Sequence, residues 1–108
     1  MQLEMVATFT QTGGIRVGTG WLDAFNASWP FAKLTVTQKQ ILLSCFSYRY
    51  SFPRESIRQL SRHRGWFSVG LRIEHTVPMY DVFLVFWTFN YGALRRRLRE
   101  MGYAVDDD

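Results

Sequence analysis

Residues Val82 to Phe89 form the most strongly apolar run of the chain, interrupted only by Thr88. Read as a strand, the run is apolar on both faces, with Val82, Leu84 and Phe86 on one and Phe83, Val85, Trp87 and Phe89 on the other. Such a strand must be covered on both sides, which demands an element packed outside the sheet as well as a core within it. The run is also far shorter than the roughly 20 residues a membrane-spanning helix needs. A covering element follows at once. Asn90 suits a helix N-cap, Tyr91, Leu94, Leu98 and Met101 recur on one helical face, and Gly102 ends the pattern. Arg95, Arg96, Arg97 and Arg99 fall off that stripe, on a solvated face near the helix end that favours cations.

Upstream of the run the period is two. Val69, Leu71, Ile73 and His75 alternate with Gly70, Arg72, Glu74 and Thr76, a half-buried strand joined to the apolar run by a turn at Pro78–Asp81. Ala32, Leu34 and Val36 alternate in the same way and predict a hairpin with Ile41–Phe46 around the polar quartet Thr37–Gln40. Tyr48 to Phe52 extends it. Ile15, Val17 and Thr19 read as a first strand, with Gly14, Gly18 and Gly20 suggesting bulges or close backbone approach. Between them, Trp21 to Pro30 loses the pattern and reads as irregular. Residues 53–64 read either as an Arg-rich strand or as a helix closed by Gly65. The expected fold is mainly β within the α+β class: a bent antiparallel sheet or split barrel of six to seven strands, capped by one C-terminal helix. Residues 1–13 are expected to be an arm, 14–105 the domain and 106–108 an acidic tail.

Composition bears on function mostly by exclusion. Apolar residues make up 47% and aromatics 17% of 108 residues, enough bulk to fill one core and too much for a disordered chain. One cysteine, Cys45, forms no internal disulfide; in phase with Ile41 and Leu43, it reads as a small buried hydrophobe. The first twelve residues contain Glu4 and no cation, unlike a signal peptide, so a cytoplasmic location is the default expectation. Metal-ligand spacings are absent, no cofactor is implied, and no Ser, Cys or His has a convincing catalytic partner. His75 reads as a hydrogen-bonded core histidine, His63 as an imidazole kept neutral by neighbouring arginines, and Glu74 and Asp81 as surface charges.

Two constellations stand out. Thirteen Lys and Arg face nine Asp and Glu, three of which are the terminal Asp106–Asp108. Arg58, Arg62 and Arg64 share a face if 57–64 is extended, and with Arg72 and the nearby Trp66 and Phe67 they form a candidate basic face for phosphate, carboxylate or nucleic acid. A plain solvated sheet face is the competing reading. Trp21, Phe25 and Trp29 place three aromatics in nine irregular residues. They either fold inward to close the barrel or stand out as a partner-binding surface.

The order of elements, together with Ser28–Leu34, Phe52–Ile57, Gly70–His75, Val85–Trp87 and Leu94–Gly102, resembles small bacterial proteins with a pleckstrin-homology-like (PH/GRAM-like) split barrel. The resemblance implies a strongly bent sheet with the helix plugging one open end, and a platform for proteins, peptides or lipid headgroups. Trp21 to Pro30 holds no cation and one Asp, and the helix holds no Trp, so lipid-headgroup recognition is not carried over onto any residue. The expected role is a non-catalytic module binding a protein or peptide through an exposed strand edge and the aromatic 21–31 segment. The alternatives are Arg-mediated nucleic-acid binding or an anionic membrane-surface adaptor. A homodimer is a further expectation if Phe83, Trp87 or Phe89 is left uncovered.

Overall fold

A computed structural model describes residues 7–19, 25–65 and 68–106. The elements are β1 (Phe9–Val17), β2 (Phe25–Val36), β3 (Gln40–Cys45), β4 (Tyr48–Pro53), a single 3-10 turn at Arg54–Ser56, β5 (Ile57–Arg64), β6 (Val69–His75), β7 (Leu84–Thr88), α1 (Tyr91–Glu100) and β8 (Val105–Asp106). All eight strands lie in one curled sheet, a half-barrel, in the order β4-β3-β2-β1-β7-β6-β5-β8. Every pairing is antiparallel except β5 with β8.

The period-two segments dictate which face is inside. Ile15, Leu34, Ile41, Leu43, Phe52, Leu60, Leu71, Ile73, Leu84 and Phe86 point inward and are fully buried. Leu94 and Leu98 of α1 join them, with Met101 and Tyr103 behind. The helix starts where the sequence places it. Asn90 caps it by accepting from the Ala93 amide at 3.2 Å. After α1 the chain turns back at Gly102, and Tyr103 Oη donates to the Thr37 carbonyl at 2.7 Å. Arg54 locks the same corner: its guanidinium donates to the carbonyls of Gln38, Met101 and Gly102 and lies over the Tyr103 ring. The Met101 and Gly102 carbonyls just past the helix are thereby satisfied.

Several expectations need correction. Among the described residues there are eight strands rather than six to seven; β8, two residues long, adds to the β5 edge. The whole described part of the supposedly irregular Trp21–Pro30 stretch, residues 25–30, belongs to β2. The arm drawn over residues 1–13 overlaps β1 from Phe9 onward. Gly13 and Gly14 do not break the chain there: a Cβ on Gly13 would lie 2.0 Å from the Trp87 carbonyl oxygen, so the glycine marks the close crossing of β7. Residues 57–64 are strand: Leu60 is fully buried opposite Ile73, and Gln59–Arg64 pair in register with β6. The helix packs on the inner face against β6 and β8, not on the outer face of β7. Val85, on that outer face, is fully buried; in register it lies between Arg16 and Arg72, whose long aliphatic stems suit covering it. Val82 and Phe89 fall outside β7 and are 76% and 81% exposed.

Candidate functional site

β2 pairs with β1 in two blocks. Ala32–Val36 face Phe9–Gly13, and Phe25–Ala27 face Ile15–Val17. Gly14 alone spans what Ser28, Trp29, Pro30 and Phe31 span on the other strand, so β2 makes a four-residue excursion from the ladder. The Trp29–Pro30 peptide within it is cis. Gly14 permits the excursion by close approach, since a Cβ there would sit 2.6 Å from the Ala27 carbonyl oxygen.

The excursion turns large aromatics outward. Trp29 and Phe31 are each 52% exposed. Trp29 meets Phe89 edge to face at 5.9 Å, and Phe31 stacks on Phe46 at 5.3 Å. Phe46 sits in the β3–β4 turn with φ of 55°, 63% exposed, and next to it Tyr48 packs on Phe25 at 4.7 Å. Aromatics distant in sequence thus form pairs around one bulge. Ring pairs of this kind hold one another in place without removing their outer surface from water.

Beside the excursion lies a groove of about 610 Å³. Trp29, Phe89 and Trp87 provide its apolar surface; Arg16, His63 and Arg64 provide its basic groups; Asn26, Ser28, Ser68 and Thr88 add neutral polar ones. Among the described residues that line it there is no carboxylate. His63 packs against Trp87 at 5.6 Å and edge-on to Phe83 at 5.5 Å. Burial first, and the Arg72 guanidinium second, hold the His63 pKa below its ordinary value.

The structure splits the sequence candidates. Trp21, like Trp66 and Phe67, lies outside the described residues. Phe25 is half-buried and packs on the core, the inward reading, whereas Trp29 stands outward. The arginines do not share one face. Arg62 lies opposite Leu71 and Arg64 opposite Val69, on the inward-facing side of the ladder; Arg72 lies opposite Ser61 and Val85, on the outer side, with its guanidinium over Phe83. Arg58 sits in the register shift between Ile57 and Gln59. Of the candidates, Trp29 and Arg64 line the groove, together with Arg16, Trp87 and Phe89, which the candidate set omits. Alternation with Ile15 and Val17 marks Arg16 as outward, but its sharing a groove with Trp87 depends on β1 pairing with β7, which no local signal gives.

His75 is a core residue. Its Nε2 donates to the Asp81 carbonyl at 2.8 Å and its Nδ1 accepts from the Val77 amide at 3.1 Å, a bonding pattern that fits the neutral ring. Burial pushes the Cys45 thiol pKa up, which suits a packing role rather than a nucleophile. No group of three or more His, Cys, Asp or Glu among the described residues is arranged to hold a metal ion. Among those residues, no helix is long and apolar enough to cross a membrane.

The strand edges are poor docking sites. The Ser51 amide points out of β4 and donates to Tyr80 Oη at 2.9 Å. By the alternation of an antiparallel ladder, the other outward positions of β4 are Arg49 and Pro53, and proline has no amide to offer. At the opposite edge β8 is only two residues long. Both are recognised ways of blunting an edge.

No protein-family profile matches the chain, and no curated protein matches it. Among solved structures, one described under mutations in SsgB that correlate to longitudinal cell division during sporulation of Streptomyces coelicolor superposes with a TM-score of 0.52. It is 12% identical, and the match covers 94% of this chain and 89% of that one. The likeness is one of fold: a small, mainly β half-barrel with one C-terminal helix.

Proposed function

We propose that the chain is a non-catalytic protein-interaction domain whose contact surface is the outer face around the β2 excursion. The observation that carries this reading is the set of half- to fully exposed aromatics, Trp29, Phe31, Phe46 and Phe89, gathered on a rigid sheet. Scattered exposed apolar residues need no explanation, but a cluster of paired rings is the composition of a binding hot spot. A pleckstrin-homology-like platform fits such a role, and so does the half-barrel shared with SsgB, a protein connected with cell division; both are arguments from fold alone. Contact through a strand edge has less support, given the blunted edges of β4 and β8. Nucleic-acid binding through Arg58, Arg62, Arg64 and Arg72 loses its premise, since these residues do not share a face.

The test is affinity purification from the native cell with the full chain, its Trp29→Ala variant and its Phe31→Ser variant, each checked for folding by thermal melting. The reading expects a discrete protein recovered by the wild type and depleted at least about tenfold by either substitution, in line with loss of a central aromatic anchor. Equal recovery by all three folded proteins would reject this surface. Anionic lipid or nucleic acid as the ligand would instead show binding that falls steeply with salt and ignores both substitutions.

A further inference from the structure

We infer that Phe83, His63 and Trp87 form a pH-sensitive latch over the outer face of β7, closed while the imidazole is neutral and opened when it takes up a proton. Val85 is fully buried on that face. Phe83 and Trp87 stand on either side of it along the chain, in the same outward phase. His63 of β5 meets both: its ring is edge-on to Phe83 at 5.5 Å and packs against Trp87 at 5.6 Å. A third ring thus bridges the two that flank Val85. Glycines leave room for the arrangement. Gly70, in register with both His63 and Trp87, would place a Cβ 2.6 Å from Val85 Cγ1 and 3.0 Å from Trp87 Cε3. A Cβ at Gly65 would lie 2.9 Å from Trp87 Cη2. The six-membered ring of Trp87 therefore reaches across β6 to the end of β5, beside His63.

The charges around the bridge are the reason a proton opens it. Arg72 lies over the Phe83 ring at 5.1 Å, and its buried Nε has no hydrogen-bond partner. Arg62 and Arg64 precede and follow His63 on β5, and Arg16 lines the same groove from β1. Of the carboxylates on the neighbouring elements, Asp81 already accepts from the Phe83 amide at 2.8 Å. Glu74 lies four residues along β6 from Gly70, the partner of His63, a separation of about 13 Å. An imidazolium would sit beside Arg72, partly out of water, with no carboxylate among the described groove residues to balance it. Attraction to the Phe83 ring offers little relief, since that ring already holds the Arg72 guanidinium. Burial first and Arg72 second hold the His63 pKa below 6.5, as such a site requires. Turning out into water restores the ordinary value, so the open form binds the proton more tightly and falling pH favours it. Opening uncovers Val85 and widens the groove beside the β2 excursion while adding a positive charge to it. The latch depends on the ring geometry alone, so it stands or falls separately from the identity of what docks at Trp29 and Phe31.

The test follows the free full-length protein from about pH 8 to about pH 5 by NMR, with a neutral gadolinium chelate as the solvent probe. The His63 ring carbons report its own titration, and the Val85 methyls and Trp87 indole report uncovering. Probe-induced relaxation of the Val85 methyls should be low and flat above about pH 7 and rise at least about threefold by about pH 5. Its midpoint should match the His63 titration and lie below the ordinary 6.5. His63→Phe keeps a ring at the bridge that takes up no proton, so its Val85 methyls should stay protected throughout; His63→Gln serves the same purpose if the larger ring does not fit. Arg72→Gln should raise the His63 midpoint, because it removes the neighbouring charge. Val85 methyls that stay protected while His63 titrates would overturn the inference. So would an equal rise in His63→Phe, which retains His75, or no His63 titration down to about pH 5. A rise matched by the same change at Phe52, deep in the core, would mark general acid unfolding and overturn it as well.

Discussion

Two aromatic clusters in this half-barrel use the same residue types to opposite ends. In the inner one, Phe52 packs on His75 at 5.0 Å and on Tyr80 at 5.4 Å, and Tyr80 packs on Tyr50 at 5.1 Å. Phe52 is fully buried, and the polar atoms of His75 and the Tyr80 hydroxyl are bound to backbone. In the outer one, Trp29 meets Phe89 and Phe31 meets Phe46 with half or more of each side chain open to water. The inner cluster joins β4 and β6 to the 76–83 connection and stabilises the fold. The outer cluster leaves apolar area uncovered, which is unfavourable unless something else covers it. The difference lies in register: Phe52 falls on the inward phase of β4, whereas Trp29 and Phe31 are carried out of phase by the excursion opposite Gly14.

The contrast breaks most visibly under truncation. Phe52→Ala should cost about 3–5 kcal/mol, since a fully buried ring leaves a cavity at a junction of three segments. Trp29→Ala, which removes a half-exposed ring, should cost no more than about 1 kcal/mol. Chemical denaturation of the two variants under identical conditions checks both values. Arg54→Ala should fall between them, at about 1.5–3 kcal/mol, because it removes charged donors from the Met101 and Gly102 carbonyls after the helix and from the Gln38 carbonyl of the β2–β3 turn. Hydrogen exchange should then rise first at α1 and β8.

Gly14→Ala sharpens the comparison from the other side. The new Cβ meets the Ala27 carbonyl, so the variant should lose about 1–3 kcal/mol and alter the shifts of Ser28–Phe31 while leaving the Phe52–His75–Tyr80 cluster unchanged. The smallest effect is electrostatic. Because His63 is held below its ordinary value of 6.5, the unfolded chain takes up a proton at a higher pH than the folded one. Its contribution to stability is flat above about pH 7 and declines as pH falls through 6.5 toward the folded-state pKa. His63→Gln should flatten that part of the stability–pH profile, and burial rather than Arg72 should account for most of it.

Much of the fold was legible because local signals and global pairing agree. The Val69–His75 alternation, the hairpin of Ala32–Val36 with Ile41–Cys45, the Asn90 cap and the Leu94–Leu98 stripe each specify their own element. The site was legible only in part. Trp29 was marked by its density of aromatic neighbours, but the excursion that exposes it exists only relative to β1. The basic face failed for a related reason. Arg62 and Arg64 do share a strand phase, yet Arg62 pairs with Leu71, so Arg72, one residue on, belongs to the opposite side, and the shift at Ile57/Gln59 moves Arg58 off the count. A phase inferred along one strand says nothing about the face reached by its neighbour until the register is known.

The account's central claim is that the outer aromatic cluster is covered by another protein. Site-specific photo-crosslinking in the native cell tests it most directly, with the photoreactive side chain placed at Trp29 or Phe31 and, as the control, at the exposed Glu100 on α1. The account predicts one discrete heavier adduct with a different protein from positions 29 and 31 and none of that mass from position 100. Adducts of equal yield at all three positions, or an adduct from position 100 alone, would contradict it. An adduct of twice the chain's own mass from positions 29 and 31 would contradict it as well, and would show that a second copy covers the face.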